Sequence, residues 1–178
     1  TINQYTVDIS DHDANEDRGA ADGSAPNVST GSSDMELPDD GVDQINGVWF
    51  RNVTIPAGTT ISDARIIFTI DEQTSDSDEA INLTIHAIDP SVVNSSSKHF
   101  NDNNFEPSHL VGAAGANASI GNVAWTIAAT DDPAQGAPLI TDDIAPLVKL
   151  MIADAGWGTG GSNQNMVFVI VDDSGSGK

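Results

Sequence analysis

Met166-Val-Phe-Val-Ile-Val171 is the stretch on which the fold turns: every residue is apolar, most are β-branched, and no charge appears before Asp172. β-Branched residues favour extended chain. Side chains of a strand alternate between two faces, so a run that is apolar throughout has apolar side chains on both. Such a strand belongs in the middle of a sheet with a neighbour on each side. Only mostly small or polar residues follow it, Asp172-Asp-Ser-Gly-Ser-Gly-Lys178. The expectation is therefore an open berth beside Val167, Phe168, Val169, Ile170 and Val171, an acceptor groove for a strand from elsewhere.

The opposite end offers a strand with no evident home. In Thr1 to Ser10 (TINQYTVDIS), Tyr5, Val7 and Ile9 fall on one face and Gln4, Thr6 and Asp8 on the other, with Ile2 leading. From Ser10 to Asn27 no apolar side chain exceeds Ala or Pro, so nothing there is expected to anchor to a core or offset the entropy of ordering. The organisation read from this is a donor strand at 1–10 (Ile2, Tyr5, Val7, Ile9), an acidic tether at 11–26 and a β-sandwich at 27–178. A loose strand and an exposed berth in one chain predict head-to-tail assembly by strand donation, with copies of the same chain as partners.

Between the two ends the periodicity is mainly that of strands. Val28 to Leu37 reads as a weak strand with Met35 and Leu37 inward, Gln44 to Val53 as a strand, and Ile55-Pro-Ala-Gly-Thr-Thr-Ile61 as a tight reversal. Ser62 to Asp71 places Ala64, Ile66, Phe68 and Ile70 on one apolar face. Ile81 to Asp89 turns Leu83, Ile85 and Ala87 inward and Asn82, Thr84 and His86 outward, and Asn122 to Ile127 is a further short strand. Pro90 to Gly121 is long, Asn- and Ser-rich, and reads as a functional loop. Ile144 to Ala155 is the one helix, with Asp143 as cap, Pro146 in the first turn and Gly156 at its end. Seven strands and one short helix predict an all-β fold, a jelly-roll-like antiparallel β-sandwich with a detached N-terminal strand.

Composition narrows the function. With 27 Asp plus Glu against 6 Lys plus Arg, the net charge is −21. Binding a polyanion needs clustered basic residues, and Lys98, Lys149 and Lys178 are scattered, so nucleic acid is excluded. No run approaches the roughly 18 apolar residues of a membrane span. Cysteine is absent, which removes disulfides, zinc-thiolate sites and a thiol nucleophile. Thr at position 1 leads to the expectation that an upstream segment has been removed on export, placing the protein outside the cell. The sequons at Asn27, Asn52, Asn82, Asn94 and Asn117 then become candidate glycosylation sites.

Several short motifs occur in a familiar order: Ser33-Asp-Met-Glu-Leu37, Gly47-Val-Trp-Phe50, Val53-Thr-Ile-Pro-Ala-Gly-Thr-Thr-Ile61, Phe68-Thr-Ile-Asp-Glu72, and Ile152 to Gly158 with a following Gly and Asn. Their order resembles a recurrent jelly-roll domain of secreted bacterial proteins, which carries an early acidic patch, an IPxGATI turn and a helix ending in a GW loop. The resemblance spans roughly Asp11 to Val171. Such domains usually finish with another apolar strand, absent here. In that respect the chain looks similar to donor-strand pilus and filament subunits, where the N-terminal strand of one protomer fills the gap in the next.

The candidate chemistry is oxygen-based. Asp11-His-Asp-Ala-Asn-Glu-Asp17 sets oxygen ligands at every second residue, as in a loop that wraps Ca²⁺, although Glu16 stands where an EF-hand has its Gly. The expected calcium set is Asp11, Asp13, Asn15, Glu16 and Asp17, joined by Asp34, Glu36, Asp71 and Glu72. No GxSxG, HExxH or P-loop pattern is present, and no enzyme activity is expected. The alternative is a calcium-dependent carbohydrate-binding module, with Trp157 in its Gly-rich loop as the sugar-stacking platform. A third reading is an acid-rich surface protein from a high-salt habitat.

Overall fold

In the computed structural model, Met166–Asp172 (β8) lies between two partners from the same chain: Gln44–Phe50 (β3) on one edge and Ile81–Ile88 (β5) on the other, both antiparallel. The structure describes residues 2–7, 12–17, 27–31, 35–37, 43–71, 80–94, 99–100, 105–112, 117–128, 134–158 and 164–172. Asp13–Asp17 (β1) pairs with the free edge of β3, and Val28–Ser29 (β2) pairs with β1. Ser119–Ile127 (β6) pairs with β5, giving the order β2-β1-β3-β8-β5-β6. Ile67–Thr69 (β4) and Pro138–Ile140 (β7) form a separate antiparallel ribbon. The fold is all-β and sandwich-like, as expected.

The continuous apolar run of β8 follows from having a core on each face. On the first face Val48, Leu83, Ile85, Phe168 and Ile170 pack with Ala145–Ala153 (α3) and with the inner side of the ribbon. Phe68 of the ribbon stacks on Trp125 of β6 with ring centroids 5.9 Å apart. On the second face Ile45, Trp49, Val167, Val169 and Val171 are covered by Val93 of Pro90–Asn94 (α1), Leu110 of Pro107–Leu110 (α2), Phe100 and Phe105. Full burial of each such side chain stabilises the fold by roughly 1.5–3 kcal/mol. The described residues of the 90–121 stretch thus cover the second core, through Val93, Phe100, Phe105 and Leu110. They contribute α1 and α2, which the sequence does not advertise.

α3 forms where its periodicity indicates. Asp143 Oδ1 accepts from the Ala145 and Ala64 N–H groups at 2.9 and 3.0 Å, and these bonds hold its carboxyl below the usual aspartate value. Leu147, Val148, Met151 and Ile152 turn to the sheet while Lys149 faces solvent. The helix is therefore capped by its own sheet. At the 55–61 reversal the Thr59 N–H donates to Pro56 O at 3.2 Å, and Gly58 takes φ 76°, a left-handed conformation costly for other residues.

Several expectations need correction. Residues 2–7 form no strand and join neither sheet. The acidic segment expected to be a tether contains β1, whose backbone pairs on both sides. Among the described residues of the weak 28–37 strand only Val28–Ser29 is paired, although Met35 and Leu37 do pack against the first core. On β5 Thr84 is buried and His86 half-buried, because that face carries the second core.

Candidate functional site

The acceptor groove is the clearest correction. Every residue from Val167 to Val171 is buried, and both edges of that strand are paired within the chain, through Ile45 to Phe50 on one side and Leu83 to Ala87 on the other. A strand buried on two faces needs its backbone satisfied along both edges, and β5 supplies the side expected to be open. No berth remains there.

The donor segment is seated on its own molecule. Tyr5 and Val7 pack, half-buried, against the first core. The Tyr5 hydroxyl accepts from the Thr54 N–H at 3.1 Å and shares a hydrogen bond with Thr54 Oγ1, also 3.1 Å. Ile2 stands 97% exposed, and Ile9 lies outside the described residues. The segment is thus unpaired as a strand yet tied down by side chains.

β1 separates the expected calcium ligands onto two faces. Asp13, Asn15 and Asp17 lie opposite Val48, Asn46 and Gln44 of β3, on the side of the first core. Ala14 and Glu16 point to the second. Glu16 is completely buried, and its Oε2 and Oε1 accept from Ser108 N–H and Oγ–H at 2.7 and 2.5 Å. Burial pushes its carboxyl above the ordinary glutamate value, while the two Ser108 bonds act in the opposite direction. Asp13 is shifted the same way, again chiefly by burial. A wrapping loop that includes Glu16 is therefore excluded: strand alternation turns it away from its neighbours. Asp71 follows β4 on the separate ribbon, and Asp11, Asp34 and Glu72 lie outside the described residues. Among the described residues no group of three or more His, Cys, Asp or Glu is placed to share a metal ion.

On the first-core side of β1 the oxygens are tightly organised. Asn46 Nδ2 donates to Asn15 Oδ1 at 2.8 Å and to the Glu36 carbonyl at 2.9 Å, and Gln44 Nε2 donates to Asp17 Oδ1 at 2.8 Å. Asn46 is 1% exposed, and its Oδ1 receives no hydrogen bond. Sequence reading passed over Asn46 and Gln44, though their signal was present. Both are amides at alternate positions of a strand whose next residue on that face is Val48.

The second-core side also holds an aromatic cluster. Trp49 is ringed by His12, His99, Phe100 and Phe105 with centroids 5.5–6.4 Å away, and the Arg51 guanidinium lies 5.8 Å from its ring centroid. Arg51 Nη1 donates to His12 Nε2 at 3.1 Å. His12 and Arg51 thus close the outer end of the core beside β1.

The sugar-stacking platform does not form. Trp157 is 4% exposed, and its Nε1–H donates to Ile55 O at 2.9 Å, docking the GW loop onto the 55–61 reversal. Trp49 and Trp125 are buried as well. Among the sequons, Asn27, Asn52, Asn82 and Asn117 are exposed. Asn94 differs: its Oδ1 accepts from Asn165 N–H at 3.2 Å and its Nδ2, the atom a glycan would join, is buried.

No protein-family model matches the chain, and no curated protein or solved structure matches it either. Among the described residues no helix is long and apolar enough to cross a membrane.

Proposed function

We propose that the protein is an extracellular structural subunit whose copies join head to tail, each lending its N-terminal segment to the first core of the next. The supporting observation is that residues 2–7 join no sheet and are tied to that core through Tyr5, Val7 and the Tyr5–Thr54 bonds alone. The acceptor in this reading is the surface around Thr54, not the filled flank of β8. Exchanging an identical segment between copies preserves every contact it makes, so the change costs little, and a transfer that does not close on itself builds a fibre. The layer that receives the segment is also thin. Among the described residues it contains two three-residue strands and α3, against six strands in the facing sheet. The exposed sequons at Asn27, Asn52, Asn82 and Asn117 suit glycans that leave both cores untouched.

Because the chain has no cysteine, exchange can be tested with two single-thiol variants, Tyr5→Cys and Thr54→Cys, mixed and treated with a short bifunctional thiol reagent. A covalent product of two chains, together with filaments in electron micrographs that vanish when residues 1–7 are deleted, is the expected result. Cross-linking confined to the double variant, within one chain, with only monomers in the micrographs, refutes the proposal.

A further inference from the structure

We propose that the outer edge of β6 binds a second copy of the chain, the two β6 strands pairing antiparallel about a two-fold axis into one continuous sheet. This adds a side-to-side contact to the head-to-tail one and stands without it. β6 ends the six-stranded sheet: β5 pairs along one of its edges, and no described strand takes the other. The Ser119 N–H is met by Asn117 Oδ1 at 2.9 Å. From Asn122 to Ile127, among the described residues, the backbone bonds to nothing but β5. The other edges are short, with two residues in β2 and three in each ribbon strand. An open edge offers N–H and C=O groups to any chain that can approach, and proteins blunt it with charge, Pro or a bulge. β6 carries no charge and no Pro, and its register shift with β5 lies at its start.

The distribution of charge names the occupant. β6 lies within the longest run of the chain lacking Asp, Glu, Lys and Arg, Pro107 to Thr130, and β5 beside it has none either. A protein of net charge −21 repels its own copies, so two of them can meet closely only along such a seam. A basic partner would settle on the acidic segments instead. Self-pairing also matches residue to residue. A two-fold axis perpendicular to the sheet keeps both faces continuous and sets one residue of β6 opposite itself. The exposed residues are Asn122, Ala124 and Thr126, and an axis at Ala124 matches all three. Asn122 then faces Thr126 of the second copy. Thr126 Oγ1 donates to Asn82 Oδ1 at 3.1 Å and can accept from Asn122 Nδ2 across the seam. On the first-core face Val123 meets Trp125 of the second copy, a favourable β-branched and aromatic pair. Beside Gly121 stands Leu150 of α3, 46% exposed, an apolar side chain that the second copy would cover.

The test uses the intact chain, which has no cysteine of its own. Residues opposite one another in an antiparallel pair hold their Cβ atoms roughly 4.5–5.5 Å apart, close to disulfide reach. Under mild oxidation Ala124→Cys should therefore give a two-chain product faster than Ile67→Cys, which is 63% exposed on the separate ribbon and reports chance collision. Sedimentation velocity of wild type should show association rising with NaCl as repulsion is screened. Ala124→Asp and Ala124→Lys each set like charges opposite one another. Each should weaken association by about tenfold or more, and an equimolar mixture of the two should recover it. Cross-linking of Ala124→Cys no faster than that of Ile67→Cys overturns the proposal, as do charged variants that associate like wild type or a mixture that does not recover. The thiols at positions 5 and 54 report the head-to-tail contact and Ala124→Cys reports this one, so either contact can fail alone.

Discussion

Replacing Glu16 tests how the second core is fastened to the edge of the sheet. Its carboxylate accepts from both Ser108 donors, at 2.7 and 2.5 Å, and all these groups are buried. Glu16→Ala leaves two buried donors unpaired, each costing roughly 1–3 kcal/mol, and relief of the buried charge offsets part of that. A net loss of about 2–4 kcal/mol is expected, a large share of the roughly 5–15 kcal/mol that typical domains possess. Glu16→Gln keeps the shape. Its Oε1 can accept from the Ser108 N–H while its Nε2 donates to Ser108 Oγ, so it should lie within about 1 kcal/mol of wild type. The pH dependence separates the two states of the native carboxyl. Burial raises the folded pKa above the ordinary value of 4.5, so the folded protein holds the proton more tightly than the unfolded chain. The associated stability is complete below that ordinary value and is lost as pH rises through the folded one. Urea unfolding followed by tryptophan fluorescence from pH 4 to 8 should therefore show wild type losing ground to Glu16→Gln as pH increases. If Glu16→Ala matches Glu16→Gln in stability, or wild type gains on Glu16→Gln with rising pH, the reasoning is wrong.

Other perturbations give sharp expectations. At Gly156 an added Cβ would come within 2.8 Å of Ser91 backbone atoms, so Gly156→Ala should cost on the order of 1–3 kcal/mol in chemical denaturation. The Cβ of Gly121→Ala would meet the end of the Leu150 side chain at 2.6 Å and Leu147 Cδ2 at an ordinary 3.6 Å, and since Leu150 is half exposed the change should be tolerated within about 1 kcal/mol. Expression in a glycosylating host followed by peptide mass spectrometry should find occupancy among Asn27, Asn52, Asn82 and Asn117 and none at Asn94, whose Nδ2 is buried. Asp143 has the opposite sign from Glu16. Its folded pKa is depressed below 3.8, so Asp143→Asn should destabilise at neutral pH, with the difference fading as acid protonates the native carboxylate.

The strands legible in the sequence were those with apolar periodicity. β3, β5, β6 and β8 carry it throughout, and α3 adds Asp143 at its start, although the helix ends at Ala153, ahead of the expected Gly156. β1 could not be seen that way. Its inward residues are Ala14 and Glu16, and what fixes it is backbone pairing on two edges plus a carboxylate bonded to Ser108, far away in the chain. β7 is three residues long and follows no pattern of its own; Leu139 pairs with Phe68 to hold it. The site was half legible for the same reason. Alternating oxygens in β1 were evident, but strand alternation moves Glu16 to the other face and brings in Asn46 and Gln44 from β3. Trp157 misled because a tryptophan between glycines looks exposed until its indole nitrogen finds Ile55 O.

The position of β8 governs the order in which the molecule can be made. It bridges β3 and β5 yet comes after every other described strand in the sequence. Before it is made, β5, β6 and α3 can already pack together, but β3 has no partner that links it to them. Closure of the sheet waits for Met166–Asp172 and then depends on contacts between residues far apart in the chain, a topology associated with slow folding. Until that moment the many mutually repelling carboxylates help keep the incomplete sheet from clumping.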